Sequence, residues 1–177
     1  VGTIGADYGV IAVAGDSDVV TLGELLENLK TKPKKWVIGG GSAVGGWDHL
    51  KVLMAAKEYG ISNVRKIKYV SFDGGGDAVT QLLAGNVQIF TGDVSEIKGF
   101  VDAGDIKIIA VLSPDRLPGD FSKFYTAKEQ GVNVVGANWR GFYVPKGMSD
   151  DAYNFWAGAI KKMYDTPQWK KTMAKNG

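Results

Sequence analysis

Between Trp36 and Leu50 the sequence contains a glycine-rich segment whose main chain could bind an anion. The segment reads Gly-Gly-Gly-Ser-Ala-Val-Gly-Gly over residues 39–46 and follows the short apolar run at 36–38. Because these residues have few Cβ atoms, a ligand can approach the backbone closely. The first N–H groups of a helix have no partner within the helix and lie at the positive end of its dipole. A strand, a glycine turn and a helix in this order therefore predict a carboxylate site.

The same segment is also typical of an ordinary strand-to-helix connection, which occurs in many α/β folds. It does not match the phosphate-binding P-loop, because Gly45 is followed by Gly46 and Trp47 and not by Lys and Ser or Thr. The dinucleotide-binding pattern and the nucleophile elbow both need a glycine where Val44 stands. A carboxylate site and a plain connection are the two interpretations left.

Nucleophilic catalysis is a second chemistry to weigh, with Ser42 as nucleophile, His49 as base and Asp48 beside it. No spacing enforces such a triad, which is recognised by geometry and not by sequence. We therefore interpret His49 as a structural residue or one that polarises a ligand. Ser95 and Lys98 match S-x-x-K, but the S-D-N and K-T-G motifs of penicillin-recognising enzymes are absent. A helix start with an exposed lysine is the simpler interpretation.

Composition excludes several classes of function. The net charge of +2 is small and the lysines are dispersed among carboxylates, whereas nucleic-acid binding needs a clustered basic surface. There is no cysteine and His49 is the single histidine, so thiolate and zinc sites are not expected. No apolar run approaches the ~20 residues that span a membrane. We expect no nucleic-acid partner, no membrane span, no metal and no cofactor.

The elements that must position the glycine segment alternate between strands and helices. Short apolar runs predict strands at 10–13, 36–38, 67–72, 106–112 and 139–144, and helical spacing predicts helices after Thr21, from 47, from 77, before Gly131, after Ser149 and after Thr166. Thr21 and Glu24 have the spacing of a capping box. Such alternation with short joints implies a mostly parallel sheet with helices on its faces.

Three loops follow successive strands, at 39–46, 72–77 and 91–95, and should share one sheet edge, where ligands bind in open α/β sheets. The first loop is neutral, whereas the others contain Asp73, Asp77 and Asp93. For Asp77 and Asp93 we favour helix N-capping, and Asp73 could accept hydrogen bonds from a ligand.

The turn-rich segment 113–120 is the best candidate for a domain boundary. Periodicity predicts buried faces on two helices, at Trp47, Leu50, Leu53 and Met54 and at Tyr153, Trp156, Ile160 and Met163, the second with too little sheet to cover.

Several stretches together resemble the extracytoplasmic solute receptors of tripartite tricarboxylate transporters, which are related to the Bordetella uptake proteins. Their order and spacing cover nearly the whole chain. They are T-L-x-E-L at Thr21, G-G-S-A-V-G-G-W-D-H-L at Gly40, Y-V-S-F-D-G-G-G-D-A at Tyr69, L-L-A-G-N-V at Leu82, A-G-D-I-K-I-I-A-V-L-S-P-D-R-L at Ala103, K-E-Q-G-V at Lys128 and N-W-R-G-F-Y-V-P-K-G at Asn138.

The resemblance implies a type II periplasmic binding protein, in which two α/β lobes joined by crossing strands close on a ligand. Residues 14–110 would form the second, ligand-binding lobe. Residues 1–13 and 111–177 would supply the hinge strands and the C-terminal part of the first lobe, whose N-terminal part would precede Val1. It also implies an extracytoplasmic location, transporter subunits as partners, and a small di- or tricarboxylate such as citrate as ligand.

By the same resemblance, the second lobe holds one ligand carboxylate with its glycine/serine turn, and the absent lobe holds the other. Trp139 and Arg140 either add selectivity or pack. The alternatives are the effector domain of a transcription regulator, which would need a helix-turn-helix upstream, and, less favoured, a serine hydrolase. The expected ligand-binding residues are Gly41, Ser42, Ala43, Val44, Gly45, His49, Phe72, Asp73, Gly74, Gly75, Thr91, Gly92 and Ser95.

Overall fold

The computed structural model describes residues 2–176. Strands and helices alternate along most of this range, as the sequence predicts, and short 3-10 turns separate some of them. The strands are β1 (Gly2–Ala14), β2 (Val37–Gly40), β3 (Lys68–Ser71), β4 (Ile89–Asp93), β5 (Ile106–Val111) and β6 (Ala137–Phe142). The helices are α1 (Leu22–Thr31), α2 (Trp47–Glu58), α3 (Gly75–Leu83), α4 (Lys98–Ala103), α5 (Asp150–Tyr164) and α6 (Pro167–Asn176).

The main sheet has the strand order β3-β2-β4-β1-β5. Strand β2 pairs in parallel with both β3 and β4, whereas β1 pairs antiparallel with β4 and β5. Four of these five strands therefore run in one direction, and β1 runs against them. The α/β architecture with helices beside a sheet agrees with the expected fold class, and the sheet is mixed because β1 is inserted between β4 and β5.

Strand β1 is long because it belongs to two pairings. Residues 2–8 pair with β6, whereas residues 9–12 pair with β4 and residues 10–14 pair with β5. The change of partners falls at Gly9. Because glycine has no Cβ, this position leaves space for the side chain of Lys51, and an added Cβ would overlap Cδ of Lys51. The strand thereby connects β6 to the sheet that positions the glycine segment.

Both faces of the sheet are covered, which explains the near-continuous apolar run in β1. Ile11 and Val13 lie in a core with α1 and α2, whereas Val10 and Ala12 lie in a second core with α3. This split follows from the two-residue repeat of a strand. Helix α1 buries its predicted face, which consists of Leu22, Leu25, Leu26 and Leu29.

The helix boundaries follow local rules that can be read in the sequence. Thr21 and Glu24 form the predicted capping box at the start of α1, and Ser149 caps α5. Gly85 and Gly104 have φ angles of 76° and 80° just beyond α3 and α4, where a left-handed residue commonly ends a helix.

Two predicted segments differ in the structure. The buried face of α2 consists of Asp48, Lys51, Val52, Ala55 and Ala56. Leu50 is 43% exposed, and Trp47 is half-buried. The predicted face is therefore wrong at Leu50, whereas Leu53 and Met54 pack against the core as half-buried residues. Asp48 and Lys51 are buried because they have charged partners. The segment before Gly131 forms turns and not a helix.

Helix α5 leaves apolar surface uncovered. No residue of α5 is buried, and its aromatic residues Tyr153, Phe155 and Trp156 are 42%, 67% and 51% exposed. Strand β6 adds Trp139 and Phe142, also about half exposed. Within residues 2–176, no helix combines the length and apolar character that crossing a membrane requires.

Candidate functional site

The structure brings the three predicted loops together at one edge of the sheet. A Cβ on Gly41 would lie 2.6 Å from the carbonyl carbon of Gly74 and 2.7 Å from N of Gly75, so the first two loops pack backbone against backbone. The amide of Phe72 donates to the carbonyl of Gly40 over 2.9 Å. A Cβ on Gly40 would also lie 2.8 Å from the carbonyl oxygen of Thr91, the start of the third loop.

The head of α2 is partly capped by its own loop. The hydroxyl oxygen of Ser42 accepts from the amide of Asp48 at 2.9 Å. The amide of Gly46, the N-cap residue, donates to the carbonyl of Ala43 at 2.7 Å. The amide of Gly45 donates to Nδ1 of His49 at 3.0 Å. The expectation that the first N–H groups of this helix are unpaired is therefore wrong for Asp48, whereas Gly45 and Gly46 precede the helix.

Donors available to a ligand also lie earlier in the loop. Among residues 2–176 we find no protein acceptor for the amides of Ser42, Ala43 and Val44. Ala43, Val44 and Gly45 are exposed and Ser42 is half-buried. Because the Ser42 oxygen accepts from Asp48, its hydroxyl proton is free to be donated elsewhere. The loop thus offers main-chain donors and one hydroxyl next to the positive end of α2.

His49 supports this loop as a neutral side chain. Its Nδ1 accepts from Gly45, so the proton of the neutral ring is on Nε2. Burial lowers the pKa of His49, which favours the neutral form. The ring stacks on Tyr69 with centroids 4.5 Å apart, and the Tyr69 hydroxyl donates to the carbonyl of Ser42 at 2.7 Å. The sequence did not single out Tyr69 as a site residue, because its place depends on pairing between β2 and β3.

The geometry does not assemble either catalytic arrangement considered from the sequence. His49 Nδ1 is engaged by Gly45, and the Asp48 carboxylate lies 2.9 Å from Nζ of Lys51, so neither activates Ser42. Ser95 donates to Asp7 at 2.6 Å. Lys98 is paired with Asp102 and Asp120 and is therefore not a base for Ser95.

Lys51 is the residue that sequence reasoning missed most clearly. It is fully buried, and its ammonium contacts the carbonyl of Gly92 at 2.6 Å, Asp93 at 2.7 Å and Asp48 at 2.9 Å. One cation on α2 is thereby tied to the third loop. Asp48 and Lys51 are three residues apart on a helix, but no feature of the sequence identifies Gly92 and Asp93 as their partners.

The charged cluster continues from Asp93 into β6. Nδ2 of Asn138 donates to Asp93 at 2.6 Å. Arg140 lies 3.3 Å from Asp7 and 3.6 Å from Asp93. Arg140, for which the sequence left selectivity or packing open, thus pairs with two carboxylates. The end of β4 is in this way held to both β1 and β6.

The second and third loops differ from the expectations in their details. The N-cap of α3 is Gly74, with a φ angle of 116°, and Asp77 lies inside the first turn, so its predicted N-cap role is wrong. Asp93 does occupy the N-cap position of the 3-10 turn Val94–Glu96. Asp73 is exposed, and Gly75 and Gly92 are buried. Thr91 is buried and donates to the carbonyl of Asp48 at 3.1 Å, so it supports the head of α2 from behind.

A separate cavity of about 260 Å³ lies beside α6 and shares only Ser95 with the predicted site. It is lined by Ile4, Asp7, Arg140, Trp169 and Met173 among others. Across the described part of the chain, no group of three or more His, Asp or Glu side chains has a geometry that could hold a metal ion.

Comparison with protein families gives a match over almost the whole chain. The model of the tripartite tricarboxylate transporter family receptor matches residues 2–177. A UPF0065 protein from the gbd 5' region of Cupriavidus necator is 24% identical over 171 residues, covering 97% of this chain and 50% of that protein. One from the clcB-clcD intergenic region of Pseudomonas knackmussii is 24% identical over 132 residues, covering 73% and 75%. The chain spans about half the length of the first relative.

Solved structures share this fold. A TctC solute-binding protein from Polaromonas is 26% identical with a TM-score of 0.75, over 97% of this chain and 57% of that one. Two R. palustris proteins, solved with adipate and with malate, have TM-scores of 0.85 and 0.83 at 20% and 16% identity, each over 99% of this chain and 57% of the other. The matching family is one of transporter receptors and not of enzymes. The chain belongs to the tripartite tricarboxylate transporter receptor family.

Proposed function

We propose that this chain supplies the carboxylate-binding loop of a receptor for small di- or tricarboxylates. The observation behind the proposal is the exposed segment Ser42 to Val44, whose amides have no protein acceptor among residues 2–176 and lie at the head of α2. Main-chain donors beside a helix N-terminus favour an anion. His49 is neutral there, so the donors and the helix dipole supply the attraction. The adipate and malate bound by two neighbours of the same fold support this ligand class.

The expected strength of one loop is modest. A hydrogen bond to a charged group contributes about 1.5–3 kcal/mol, so two or three donors contribute about 3–9 kcal/mol before an association cost of at least about 4 kcal/mol. This loop alone should bind at millimolar strength or weaker, whereas two opposed sites reach micromolar strength. We therefore propose that the second carboxylate is held by a partner lobe.

The rest of the proposal concerns the whole receptor. Residues 14–110 form the ligand-binding lobe, and residues 1–13 and 111–177 form hinge strands and part of the other lobe. The continuous β1, which pairs with β6 on one side of Gly9 and with β4 and β5 on the other, supports this division. The receptor acts outside the cytoplasm and delivers its ligand, for example citrate, to membrane transporter subunits.

Calorimetric titration of the complete receptor with citrate, malate and glutamate tests the proposal, since this loop alone should bind only at millimolar strength or weaker. Ser42→Ala removes a hydroxyl donor and the cap on Asp48, so we expect carboxylate affinity to fall about tenfold or more. Ser62→Ala, at an exposed position away from the loop, is the matched control and should bind as the wild type does. Absence of carboxylate binding by the wild type contradicts the proposal. So does a Ser42→Ala variant that binds normally but loses turnover of a model ester.

A further inference from the structure

Glu96 places a carboxylate between the second and third loops. It ends the 3-10 turn that follows β4, and its Oε2 accepts from the amide of Asp93 at 2.8 Å. A Cβ on Gly75 would lie 2.6 Å from Glu96 Oε1, and a Cβ on Gly92 would lie 2.6 Å from Oε2. The two glycines thus leave a notch that the Glu96 carboxylate fills, although the residue as a whole is exposed.

The notch adjoins the proposed carboxylate loop through a continuous set of contacts. Gly75, which contacts Glu96, also packs against Gly41 at the start of that loop. Glu96 therefore lies on the second-loop side of the proposed carboxylate loop and is linked to its start through Gly75 and Gly41.

The charges that face Glu96 leave it uncompensated. Helix α2 contributes Asp48 and Lys51, and Lys51 is already shared between Asp48 and Asp93. The carboxylate of Asp93, at the end of β4, also acts on Glu96. On the side of β1 and β6, Arg140 is paired with Asp7 and approaches Asp93.

This setting disfavours a second negative charge. Desolvation of the carboxylate raises the pKa of Glu96, and the carboxylates of Asp48 and Asp93 raise it further, against the hydrogen bond from Asp93 and the charge of Lys51. Another carboxylate close by would repel Glu96 further, because like charges at short range oppose ionisation.

We propose that Glu96 is a specificity-determining residue whose charge keeps a second ligand carboxylate away from the mouth of the notch that its own side chain fills, between the second and third loops. This inference rests on the proposed function. Within the proposed ligand class, it predicts that a compact tricarboxylate such as citrate or tricarballylate binds more weakly than a dicarboxylate with a chain of the same length.

The test compares glutarate with tricarballylate, which has the same five-carbon chain and one extra central carboxylate. Dissociation constants are measured for the wild type, for Glu96→Gln and for Glu58→Gln, at low salt. The Gln side chain can still accept from the Asp93 amide, so the variant removes the charge and keeps the shape. Glu58 lies at the exposed far end of α2 and controls for the loss of one negative charge.

We expect the wild type and Glu58→Gln to prefer glutarate. Glu96→Gln should reduce this preference about threefold to tenfold, the size expected for two charges several ångströms apart in a largely aqueous setting. Lowering the pH from 7 towards 5 should shift the wild type in the same direction. The same pH series on Glu96→Gln measures the titration of the ligands themselves.

The outcomes separate the two proposals. If glutarate binds and Glu96→Gln leaves the glutarate-to-tricarballylate ratio unchanged, the role of Glu96 is wrong and the carboxylate receptor stands. An equal change in Glu58→Gln also overturns it, because the effect is then one of net charge. If neither ligand nor any other small carboxylate binds the wild type, the proposed function itself fails.

Discussion

At the scale of single residues, Lys51 shows that hydropathy alone does not identify which residues of α2 are buried. The apolar repeat in α2 predicted that Leu50 faces the core, yet Lys51 is fully buried and Leu50 is largely exposed. Burying a charge is costly unless it is paired and hydrogen-bonded, and Lys51 has Asp48, Asp93 and the Gly92 carbonyl as partners. Two of these partners come from β4, far along the chain. No local pattern contains that information.

Replacing Lys51 by Met should be strongly destabilising. It would leave the buried Asp48 without its cation and Asp93 with only Arg140, 3.6 Å away. Removing one partner of a buried ion pair typically costs about 3–5 kcal/mol. Urea unfolding measures the change. Lys98→Met is the matched control, because Lys98 also lies between two carboxylates, Asp102 and Asp120, which are solvent-exposed. Exposed pairs are worth about 0–1 kcal/mol. Equal losses in the two variants would show that burial of Lys51 does not matter.

Gly41 is the other residue whose identity the site requires. An Ala Cβ would lie 2.6–2.8 Å from backbone atoms of Gly74 and Gly75, which cannot move without separating the first two loops. We expect Gly41→Ala to weaken carboxylate binding at least about tenfold, since small displacements of donors are costly. Gly76→Ala, where a Cβ meets nothing within 4 Å, should bind as the wild type does. Calorimetry measures the carboxylate affinity of both variants. Unchanged binding by Gly41→Ala would argue against the loop as the carboxylate site.

At the scale of elements, the sequence was most informative where the rule is local. The capping box of α1 formed as predicted, and left-handed glycines follow α3 and α4 where such residues commonly end helices. The segment before Gly131 was predicted as a helix, but Thr126 and Glu129 hydrogen-bond each other within a turn. That turn is anchored by main-chain bonds to Val111. Long-range pairing therefore overrides a short helical pattern.

Helix α1 offers a test of local propensity. Gly23 lies in its first turn, with nothing within 4 Å of an added Cβ. Gly23→Ala should stabilise the protein by about 0.5–1 kcal/mol, because glycine is a poor helix former. Thr21→Ala should have the opposite effect, a loss of about 1 kcal/mol, since it removes the N-cap oxygen. Thermal and urea unfolding measure both, and a destabilised Gly23→Ala variant would show that this turn does not follow helix propensity.

At the scale of the whole molecule, the α/β class and the shared loop edge could be predicted, whereas the insertion of β1 could not. An apolar strand buried on both faces has the same pattern in either direction, so its sequence does not reveal that β1 runs against its neighbours. The aromatic side chains of α5 are uncovered, which agrees with the prediction that this helix has too little sheet to pack on. The sequence also could not predict which amides of the loop are free of protein acceptors. That depends on the side-chain positions of Ser42 and His49, which accept from Asp48 and Gly45.

The stability of the whole molecule should depend on its single histidine. The pKa of His49 is lowered in the folded state by burial, so the unfolded state binds a proton more readily. As pH falls below the ordinary value of 6.5, the free energy of unfolding should therefore decrease. His49→Gln should remove this contribution and show a shallower decline between pH 7 and pH 5.5. Urea unfolding across this range measures the slopes, and equal slopes would contradict the prediction.

The pairing of β1 also has a consequence for biosynthesis. Gly9 pairs with Asp93 and Gly2 pairs with Phe142, so this strand leaves the ribosome long before any of its partners exists. Such high contact order predicts slow folding. An apolar strand that stays unpaired during synthesis is prone to aggregation. A nascent chain of this protein is therefore expected to need protection by chaperones until β6 has been made.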